Sequence, residues 1–384
     1  RDSLCAIMPA VIAGYARSPF TPAKKGELAR TRPDDIAATV INGLIEETGI
    51  DPLKIEDLIV GTAFPEAEQG FNVARMITFL TDLPETVPGV TINRFCGSSM
   101  QAIHDAVGRI SMGAGDAFIA GGIESMTRIP MTGYNPMPNP TLGSEYPEAF
   151  TSMGITAENL AVKYSITRER QEEFAVESQS RASKASENGA FSEEIVPIQT
   201  EFGAVSDDGC IRPDTDAAAL AGLRPAFLSE GSVTAGTSSP LTDGAAFVLV
   251  CSEEFAEKNG LKPLAKIVST AVTGCAPEIM GIGPVEATKK ALSRAGLTVE
   301  DIGIIELNEA FAAQSLAVIE ELGLDPEKVN TEGGAIALGH PLGASGARIT
   351  GKAAQLLSKN GAKHALATMC VGGGQGIATV LERI

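Results

Sequence analysis

Short apolar runs alternate with longer amphipathic stretches along the first third of the chain. Apolar runs of roughly four to eight residues bounded by glycine or charged residues are typical of buried strands, and apolar positions that recur every three or four residues are typical of helices. The pattern predicts strands at 57–61, 89–93 and 117–122 and helices at 32–48, 72–80 and 98–112. Alternating strands and helices predict βαβ units with a parallel sheet, so we assign the chain to the α/β class.

The last third repeats this plan, with helices predicted at 284–295, 310–322 and 346–360 and strands at 301–307 and 365–370. The repeat has a register, because the similar segments KIEDLIVG and TVEDIGII place Asp57 and Asp301 244 residues apart. The same interval separates Cys96 from His340, and both lie in turns crowded with Gly, Ser and Ala. We therefore interpret the chain as two similar α/β halves with Cys96 and His340 at equivalent positions.

A different kind of segment lies between the halves. Residues 128–150 contain five prolines and are not expected to form a regular core element. A charged helix is predicted at 167–188, followed by Gly- and Asp-rich loops to about residue 241. The resulting division is a first half at 1–122 and 241–262, an inserted loop domain at 123–240 that binds ligand, and a second half at 263–384.

Composition narrows the functional classes. The 384 residues are 44% hydrophobic and 20% charged, with a net charge of −18, which argues against binding to nucleic acid or to anionic membranes. No apolar run approaches the ~18–20 residues of a spanning helix. The chain begins with Arg1 rather than Met, so removal of an upstream segment stays open. Six scattered cysteines without a CxxC pair predict free thiols in a reducing compartment.

Cys96 and His340 are the first candidates for chemistry. Cys96 directly precedes a predicted helix, whose positive end is expected to lower the thiol pKa, although a lone cysteine is also often a small buried hydrophobe. His340, between glycine and proline, is expected to be more exposed than a core histidine and suited to activate a thiol. His104 and His364 fall inside a predicted helix and at the start of a strand, and we expect them to be structural.

Two further turns carry candidate groups. Cys370 ends a predicted strand and is followed by four glycines within 372–376, whose backbone N–H groups suit an oxyanion hole or simply a tight turn. Asn308 follows another strand and is suited either to orient a water or to act as an N-cap. All four candidates lie at predicted strand ends, where parallel sheets bind ligands. Two thiols and an imidazole favour acyl transfer through a thioester. A Cys–Cys–His zinc site is the weaker alternative, because the ligands are far apart in sequence and a fourth is missing.

In order along the chain, NRFCGSSMQAIHDA, TAGTSSPLTDGAA, NEAFA, GGAIALGHPLGASGARI and CVGGGQG closely resemble motifs of the thiolase family. The resemblance runs from about residue 11 to 384. It implies the thiolase fold, in which two similar βαβαβαββ halves pack as α-β-α-β-α layers with a loop domain inserted into the first half.

The resemblance also implies a role for each candidate residue. Cys96 is the nucleophile that takes the acyl group, and His340 activates it and forms one oxyanion hole with a water held by Asn308. Cys370 exchanges a proton with the enolate of acetyl-CoA. The backbone N–H groups of Cys96 and Gly372 form the second oxyanion hole.

Coenzyme A is implied as a co-substrate rather than as a bound cofactor, and no metal is expected. Arg212 and Ser239 match family positions that contact coenzyme A, and Arg212 supplies the local positive charge that an acidic chain otherwise lacks. The implied reaction is ping-pong thiolysis of 3-ketoacyl-CoA to acetyl-CoA and a shortened acyl-CoA.

The degradative type of fatty acid β-oxidation is favoured over the biosynthetic acetoacetyl-CoA type. The loop before MGITAEN is short and Pro-rich, and Ser152 stands where biosynthetic members carry a histidine. The four methionines of this region fit either a pliable acyl channel or ordinary loop packing; they are Met126, Met131, Met137 and Met153.

Two rival readings use the same resemblance. A non-catalytic acyl-CoA-binding relative is expected to lack one of Cys96, His340 and Cys370, and a condensing ketosynthase is expected to carry a histidine where Cys370 stands. We expect a homodimer in the bacterial cytoplasm, with docking on a β-oxidation multienzyme partner and, if an N-terminal segment was removed, an organellar matrix as alternatives.

Overall fold

The computed structural model describes residues 9–384. The strands are Ala10–Arg17 (β1), Thr21–Pro22 (β2), Asp57–Gly61 (β3), Gly89–Ile92 (β4), Ala117–Ser125 (β5), Ile198–Thr200 (β6), Gly203–Val205 (β7), Thr242–Ser252 (β8), Ala265–Gly274 (β9), Ile302–Leu307 (β10), His364–Val371 (β11) and Gln375–Glu382 (β12). The helices are Pro33–Thr48 (α1), Val73–Thr78 (α2), Ser98–Ser111 (α3), Pro140–Glu145 (α4), Met153–Lys163 (α5), Arg168–Glu187 (α6), Ala217–Ala221 (α7), Glu253–Lys258 (α8), Gly283–Ala295 (α9), Ala312–Leu322 (α10), Ala335–Leu338 (α11) and Leu342–Lys359 (α12).

The large sheet has a near-symmetric strand order, β10-β11-β12-β9-β1-β8-β5-β3-β4, with β2 paired to β8. In each half the strands joined by a helical crossover are parallel, β3 with both β4 and β5, and β10 with β11, and the remaining strand pairs are antiparallel. The halves join where Ala10–Ile12 of β1 pairs with 265–267 of β9. This arrangement confirms the predicted α/β class with two similar halves.

Helices α3 and α12 form the middle layer. Both pack against strands of the two halves and against each other, and the residues of α12 from Leu342 to Gln355 are buried. The two backbones touch, because a Cβ built on Gly346 would lie 2.5 Å from the backbone N of Met100. The hydroxyl of Ser99 accepts a hydrogen bond from the backbone N–H of Ala347 at 2.8 Å. The two halves of the large sheet lie on either side of this middle layer and form two sheet layers. With α1 and α9 packed on their outer faces, the order of layers is helix, sheet, helix, sheet, helix.

Helix α12 begins at Leu342, four residues before the predicted start at 346. The segment LGASG has low intrinsic helix propensity because of its glycines, which is why the sequence pattern placed the start too late. Packing reverses this preference, since a Cβ on Gly343 would lie 2.4 Å from the carbonyl oxygen of Ile123. Glycine is therefore required for the first turn of α12 to reach β5.

The second half is the less regular of the two. Its counterpart of β4 is reduced to one parallel bridge between Ile305 and Val329, and the short helix α11 occupies the chain before His340. His340 consequently follows a helix and not a strand, unlike the expectation from its pattern. The remaining predicted elements are present, with ends that differ by at most three residues: β5, for example, continues to Ser125.

The segment between β5 and β8 packs α6 against α10 and α11, and α5 against 277–282. The Pro-rich residues 128–150 are mostly exposed and contain only α4 and a short turn of helix at Pro147–Phe150. A buried ion network attaches the segment to both halves. Arg17 of β1 contacts Glu194 and Asp208, and Lys352 of α12 also contacts Glu194. The division at residues 122, 240 and 262 stays a prediction.

Candidate active site

Cys96 and His340 occupy equivalent turns in the structure. Cys96 lies two residues before the first residue of α3, and His340 lies two residues before the first residue of α12. The N-termini of these helices meet at the ends of β3 and β5. A Cβ on Gly61 would lie 2.4 Å from the carbonyl carbon of Ser98, and one on Gly122 would lie 2.0 Å from the carbonyl oxygen of Gly343.

The turn after β11 packs on the turn that carries Cys96. The backbone N–H of Gly372 donates a hydrogen bond to the sulfur of Cys96. Gln375 holds this contact in place, because its Nε2 donates to the carbonyl of Gly372 at 2.9 Å and its Oε1 accepts from Arg94 at 2.9 Å. Phe95 has a φ of +43°, a strained conformation for an aromatic residue, directly before Cys96. The two turns thus form one braced unit around the sulfur.

The acidity of Cys96 differs from the expectation. Burial raises the pKa of the Cys96 thiol to about 11, and the nearby Glu124 carboxylate raises it further, while the hydrogen bond from Gly372 lowers it. A helix N-terminus stabilises a thiolate, but the loss of hydration at this depth is the larger effect. The resting group is therefore a thiol that needs a base.

His340 is buried at 4% exposure, contrary to the expectation of an exposed and mobile residue. Its turn is inserted between the sheets with the N-terminus of α12. Its backbone N–H donates to the hydroxyl of Thr242 at 3.0 Å. Burial first, and the guanidinium of Arg348 second, lower the pKa of His340 to about 3, so its imidazole is neutral.

Hydrogen bonds define which nitrogen of His340 is basic. Nδ1 lies 2.5 Å from the hydroxyl of Ser345, which donates its own proton to the carbonyl of Pro341 at 3.1 Å. Nδ1 must then carry the proton, and Nε2 is the free base. The amide nitrogen of Asn308 lies 3.4 Å from Nε2 and can donate to it.

Asn308 is fully buried directly after β10. It is not an N-cap, since α10 begins at Ala312 and Phe311 is the capping residue. Its Oδ1 has no hydrogen-bond partner among residues 9–384. A buried amide oxygen of this kind is suited to hold a water.

Cys370 is buried near the end of β11, beside Cys96 and Cys275. Burial raises the pKa of its thiol well above the ordinary value, and the negative charge that either neighbouring cysteine would carry as a thiolate adds to this. It packs in an apolar cluster with Phe311, Met280 and Met153. At neutral pH Cys370 is therefore a thiol that can give a proton.

A cavity of about 300 Å³ is lined mainly by the inserted segment, with Pro22 of the first half and Ile336 of the second half completing its wall. Arg212, Cys210, Ser238 and Pro240 are among its lining residues, and Arg212 is exposed. The cavity wall reaches the turn of His340, because the sulfur of Cys210 would lie 3.2 Å from a Cβ on Gly339. The neighbouring Ser239 is half-buried, and its backbone N–H donates to the carbonyl of Ala310 at 2.9 Å.

The two other histidines lie away from these turns and hold structural contacts. His104 is buried with Nε2 2.8 Å from the hydroxyl of Thr379, and His364 pairs with Glu382 at 3.0 Å. Across residues 9–384 no group of three side chains is arranged to hold a metal ion, so the zinc interpretation gains no support. The cysteines in the same range are free thiols, and Cys5 lies outside it.

Of the four methionines, Met126 and Met153 pack beside the site, in the same apolar clusters as Cys96 and Cys370 respectively, whereas Met131 and Met137 are exposed.

Several residues that shape the site were not identified from the sequence. Ser345, Thr242 and Gln375 each hold a candidate residue in place, and Glu124 lies at the junction of the two helix N-termini. Ser345 and Gln375 stand inside the motifs ALGHPLGASGAR and CVGGGQG, so their position was visible. Their partners were not, because a hydrogen bond to a neighbouring turn leaves no periodic signal.

Residues 10–254 match the family model described as Thiolase, N-terminal domain, and residues 261–383 match Thiolase, C-terminal domain. The chain belongs to the thiolase family. A 3-ketoacyl-CoA thiolase of Bacillus subtilis (strain 168) is 49% identical to it over 97% of this chain and 99% of the relative.

Solved structures agree with this assignment. The acetyl-CoA acetyltransferase of Bacillus anthracis is similar with a TM-score of 0.90 and 40% identity, over 99% of this chain and 100% of that one. Human mitochondrial 3-ketoacyl-CoA thiolase in complex with CoA is similar with a TM-score of 0.91 and 36% identity, over 98% of each chain. In residues 9–384 no helix is long and apolar enough to cross a membrane.

Proposed function

We propose that the chain is a degradative 3-ketoacyl-CoA thiolase, which cleaves a 3-ketoacyl-CoA with coenzyme A to acetyl-CoA and a shortened acyl-CoA. The observation that carries the proposal is the meeting of Cys96, Gly372 and Cys370 at one buried point, with a neutral His340 on the equivalent turn. Curated relatives that match over nearly the full chain carry the same name.

In the first half-reaction, His340 Nε2 takes the proton of the Cys96 thiol. The sulfur forms a bond to the 3-keto carbon, and the bond between C2 and C3 of the substrate breaks. The electron pair of that bond leaves on the acetyl-CoA fragment as an enolate. Cys370 then gives its proton to this enolate carbon, which releases acetyl-CoA.

Charge that develops on oxygen requires donors placed in advance. The backbone N–H groups of Cys96 and Gly372 are suited to form one oxyanion hole. The imidazole of His340, with a water held by Asn308, is suited to form the other. In the second half-reaction the thiol of coenzyme A attacks the acyl-Cys96 thioester. The proton on His340 has meanwhile passed to the Cys370 thiolate, so His340 can take the proton of the coenzyme A thiol. The bond from the acyl carbon to the Cys96 sulfur breaks, His340 gives its proton to Cys96, and a shortened acyl-CoA leaves.

Coenzyme A is proposed to bind in the cavity beside Arg212, with Ser239 at its inner end. The support is that Arg212 lines the cavity and is exposed there, so its positive charge can reach a phosphate. The loop at Ser239 reaches the turn that carries Asn308 through its contact with Ala310.

We also propose a homodimer that works in the bacterial cytoplasm, with or without a β-oxidation partner. Strand β4 supports the dimer, because it ends the strand order and its four residues are all half-buried. Beside it lies Phe71, which is 92% exposed. A second copy would cover both an unpaired strand edge and this ring.

Thiolysis of 3-ketoacyl-CoA substrates from short to long chain tests the proposal. Activity that extends beyond acetoacetyl-CoA is expected, whereas activity on acetoacetyl-CoA alone would favour the acetyl-CoA acetyltransferase type of the Bacillus anthracis relative. Cys96→Ser is expected to abolish the acyl-enzyme seen by mass spectrometry. Cys251→Ala, a buried thiol within β8, is the matched control and should keep the adduct. A persistent adduct in Cys96→Ser would exclude Cys96 as the nucleophile.

A further inference from the structure

The side chain of Glu124 lies where the two halves of the molecule meet. It is 1% exposed near the end of β5, and its Oε2 accepts from the backbone N–H of Ala63 at 2.7 Å and of Gly343 at 2.9 Å. Ala63 follows β3 of the first half, and Gly343 lies in the first turn of α12 of the second half. One carboxylate oxygen therefore joins the two halves.

Hydrogen-bond donors surround the carboxylate. Its Oε1 accepts from the Nε2 of Gln69 at 2.7 Å and from the hydroxyl of Thr62 at 3.2 Å. The orientation of Gln69 is fixed, because its Oε1 accepts from the backbone N–H of Ser125 at 2.7 Å. Three of the four groups that face Glu124 are N–H groups, which can only donate and so favour the ionised carboxylate, whereas the hydroxyl of Thr62 can donate or accept. Burial raises the pKa of Glu124 above its ordinary value, and the four hydrogen bonds offset this rise only in part.

The same carboxylate lies at the root of both active-site turns. Gly343 is three residues after His340, and the backbone of Gly61 packs on Ser98, two residues after Cys96. Its charge reaches the sulfur, since the Glu124 carboxylate disfavours a thiolate at Cys96. The other titratable groups at this point are Cys370 and His340, both neutral when the site is at rest.

We propose that Glu124 is a positioning residue for the reaction: it fixes the turn of His340 against the turn of Cys96, and its buried negative charge opposes a second negative charge on the Cys96 sulfur. The role is twofold. The two backbone contacts set the geometry, and the charge adds to the effect of burial in disfavouring a permanent thiolate that would react with other electrophiles. The proposal rests on the proposed function for its kinetic part, and its charge part can be tested without any turnover.

The test compares the full chain with Glu124→Gln. The rate at which iodoacetamide alkylates Cys96 is followed by peptide mass as a function of pH, and kcat and KM are measured in thiolysis. Glutamine can still accept from Ala63 and Gly343 but carries no charge and opposes its own NH2 to Gln69. We expect the alkylation midpoint to move down by about one pH unit and kcat to fall about tenfold or more with little change in KM.

Circular dichroism and thermal unfolding first establish that Glu124→Gln is folded, because exposure of Cys96 by loss of structure would also lower both the alkylation midpoint and kcat. Asp57→Asn is the control, because Asp57 is a buried carboxylate at the opposite end of β3, paired with Arg109. It should leave the Cys96 alkylation midpoint unchanged. Glu124→Asp keeps the charge but is one methylene shorter, so it should lower kcat without moving the midpoint, and it also serves if Glu124→Gln does not fold.

An unchanged or raised midpoint in folded Glu124→Gln would overturn the proposal, as would a full kcat. If the wild-type chain cleaves no 3-ketoacyl-CoA, the proposed function fails and the alkylation midpoint alone decides the role of Glu124. The two failures are therefore distinguishable.

Discussion

The hydroxyl of Ser345 lies 2.5 Å from Nδ1 of His340 and determines which imidazole nitrogen can act as a base. Ser345→Ala removes the acceptor of the Nδ1 proton, so the tautomer with a free Nε2 is no longer selected. Loss of one such hydrogen bond is worth about 1 kcal/mol. We therefore expect kcat in thiolysis to fall roughly fivefold, with KM nearly unchanged.

The matched control for Ser345→Ala is Thr350→Val. Thr350 is a fully buried hydroxyl residue of the same helix that donates to the carbonyl of Gly346 at 2.7 Å. It has no contact with His340, and kcat should stay within about twofold. Equal losses in both variants would mean that Ser345 acts only through the stability of α12.

The pH dependence of thiolysis should lack the limb that an ordinary histidine gives. Burial lowers the pKa of His340 to about 3, below its ordinary value of 6.5, so the imidazole stays a base as the pH falls through 6.5. We expect kcat/KM to show no titration near pH 6.5. The control is the pH profile of the residual activity of His340→Asn. A midpoint near pH 6.5 that is present in the wild-type profile and absent from that of His340→Asn would contradict a neutral buried imidazole.

Cys370→Ala should separate two reactions of the same nucleophile. Cleavage of 3-ketoacyl-CoA requires a proton for the departing enolate, so its rate should fall by about 10²–10⁴. Exchange of labelled coenzyme A into an acyl-CoA passes through acyl-Cys96 without breaking a C–C bond and should be largely retained. Cys275→Ala, at the thiol beside Cys370, should keep both reactions. Equal loss of both reactions in Cys370→Ala would exclude its role as the acid.

Arg17→Met should destabilise the fold strongly. Arg17 is fully buried and donates to Glu194 at 2.7 Å and to both carboxylate oxygens of Asp208 at 2.7 and 2.8 Å. Removal of one partner of a buried ion pair costs about 3–5 kcal/mol, because the remaining charge has no compensation. Urea unfolding at neutral pH measures this loss. Lys289→Met, which breaks an exposed pair with Glu286, should stay within about 0.5 kcal/mol.

The cost of Arg17→Met should shrink on acidification. Burial by itself raises the pKa of Glu194, but Lys352 and Arg17 together lower it below the ordinary 4.5. A carboxylate with a lowered pKa stabilises the fold above the unfolded pKa, and this stabilisation is lost as the pH falls through the folded value. Unfolding free energies of both proteins should therefore converge as the pH falls from 4.5 through the lower, folded pKa of Glu194. A difference that stays constant with pH would show that packing, not charge, is lost.

The repeat could be read from the sequence because it depends on local pattern. Asp57–Gly61 is a strand with the predicted bounds, and the interval of 244 residues places Cys96 and His340 at equivalent turns. The start of α12 was wrong because its glycines disfavour a helix until α3 and β5 pack against them. Periodicity records which residues are buried but not which backbones come close.

The sequence predicted which residues come together at the candidate site but not their acidity. The motifs pointed to Cys96, His340 and Cys370, whose catalytic roles stay a prediction, whereas the position of Cys96 at the N-terminus of α3 suggested a thiolate. Burial outweighs the helix, and the depth of a turn is a tertiary property that no local sequence reports. The sequence did not point to Glu124 for the same reason, because its hydrogen-bond partners Ala63 and Gly343 are 61 and 219 residues away.

The contact between Gly346 and Met100 makes the reaction a property of the whole fold. The proposed nucleophile and base come from different halves, and the contact between the two middle-layer helices helps to hold their turns in register. Neither half expressed alone would carry a complete site, and α3 without α12 would leave an apolar face uncovered. Catalytic activity is consequently a direct reporter of cooperative folding, and it should disappear in the same transition as the tertiary structure.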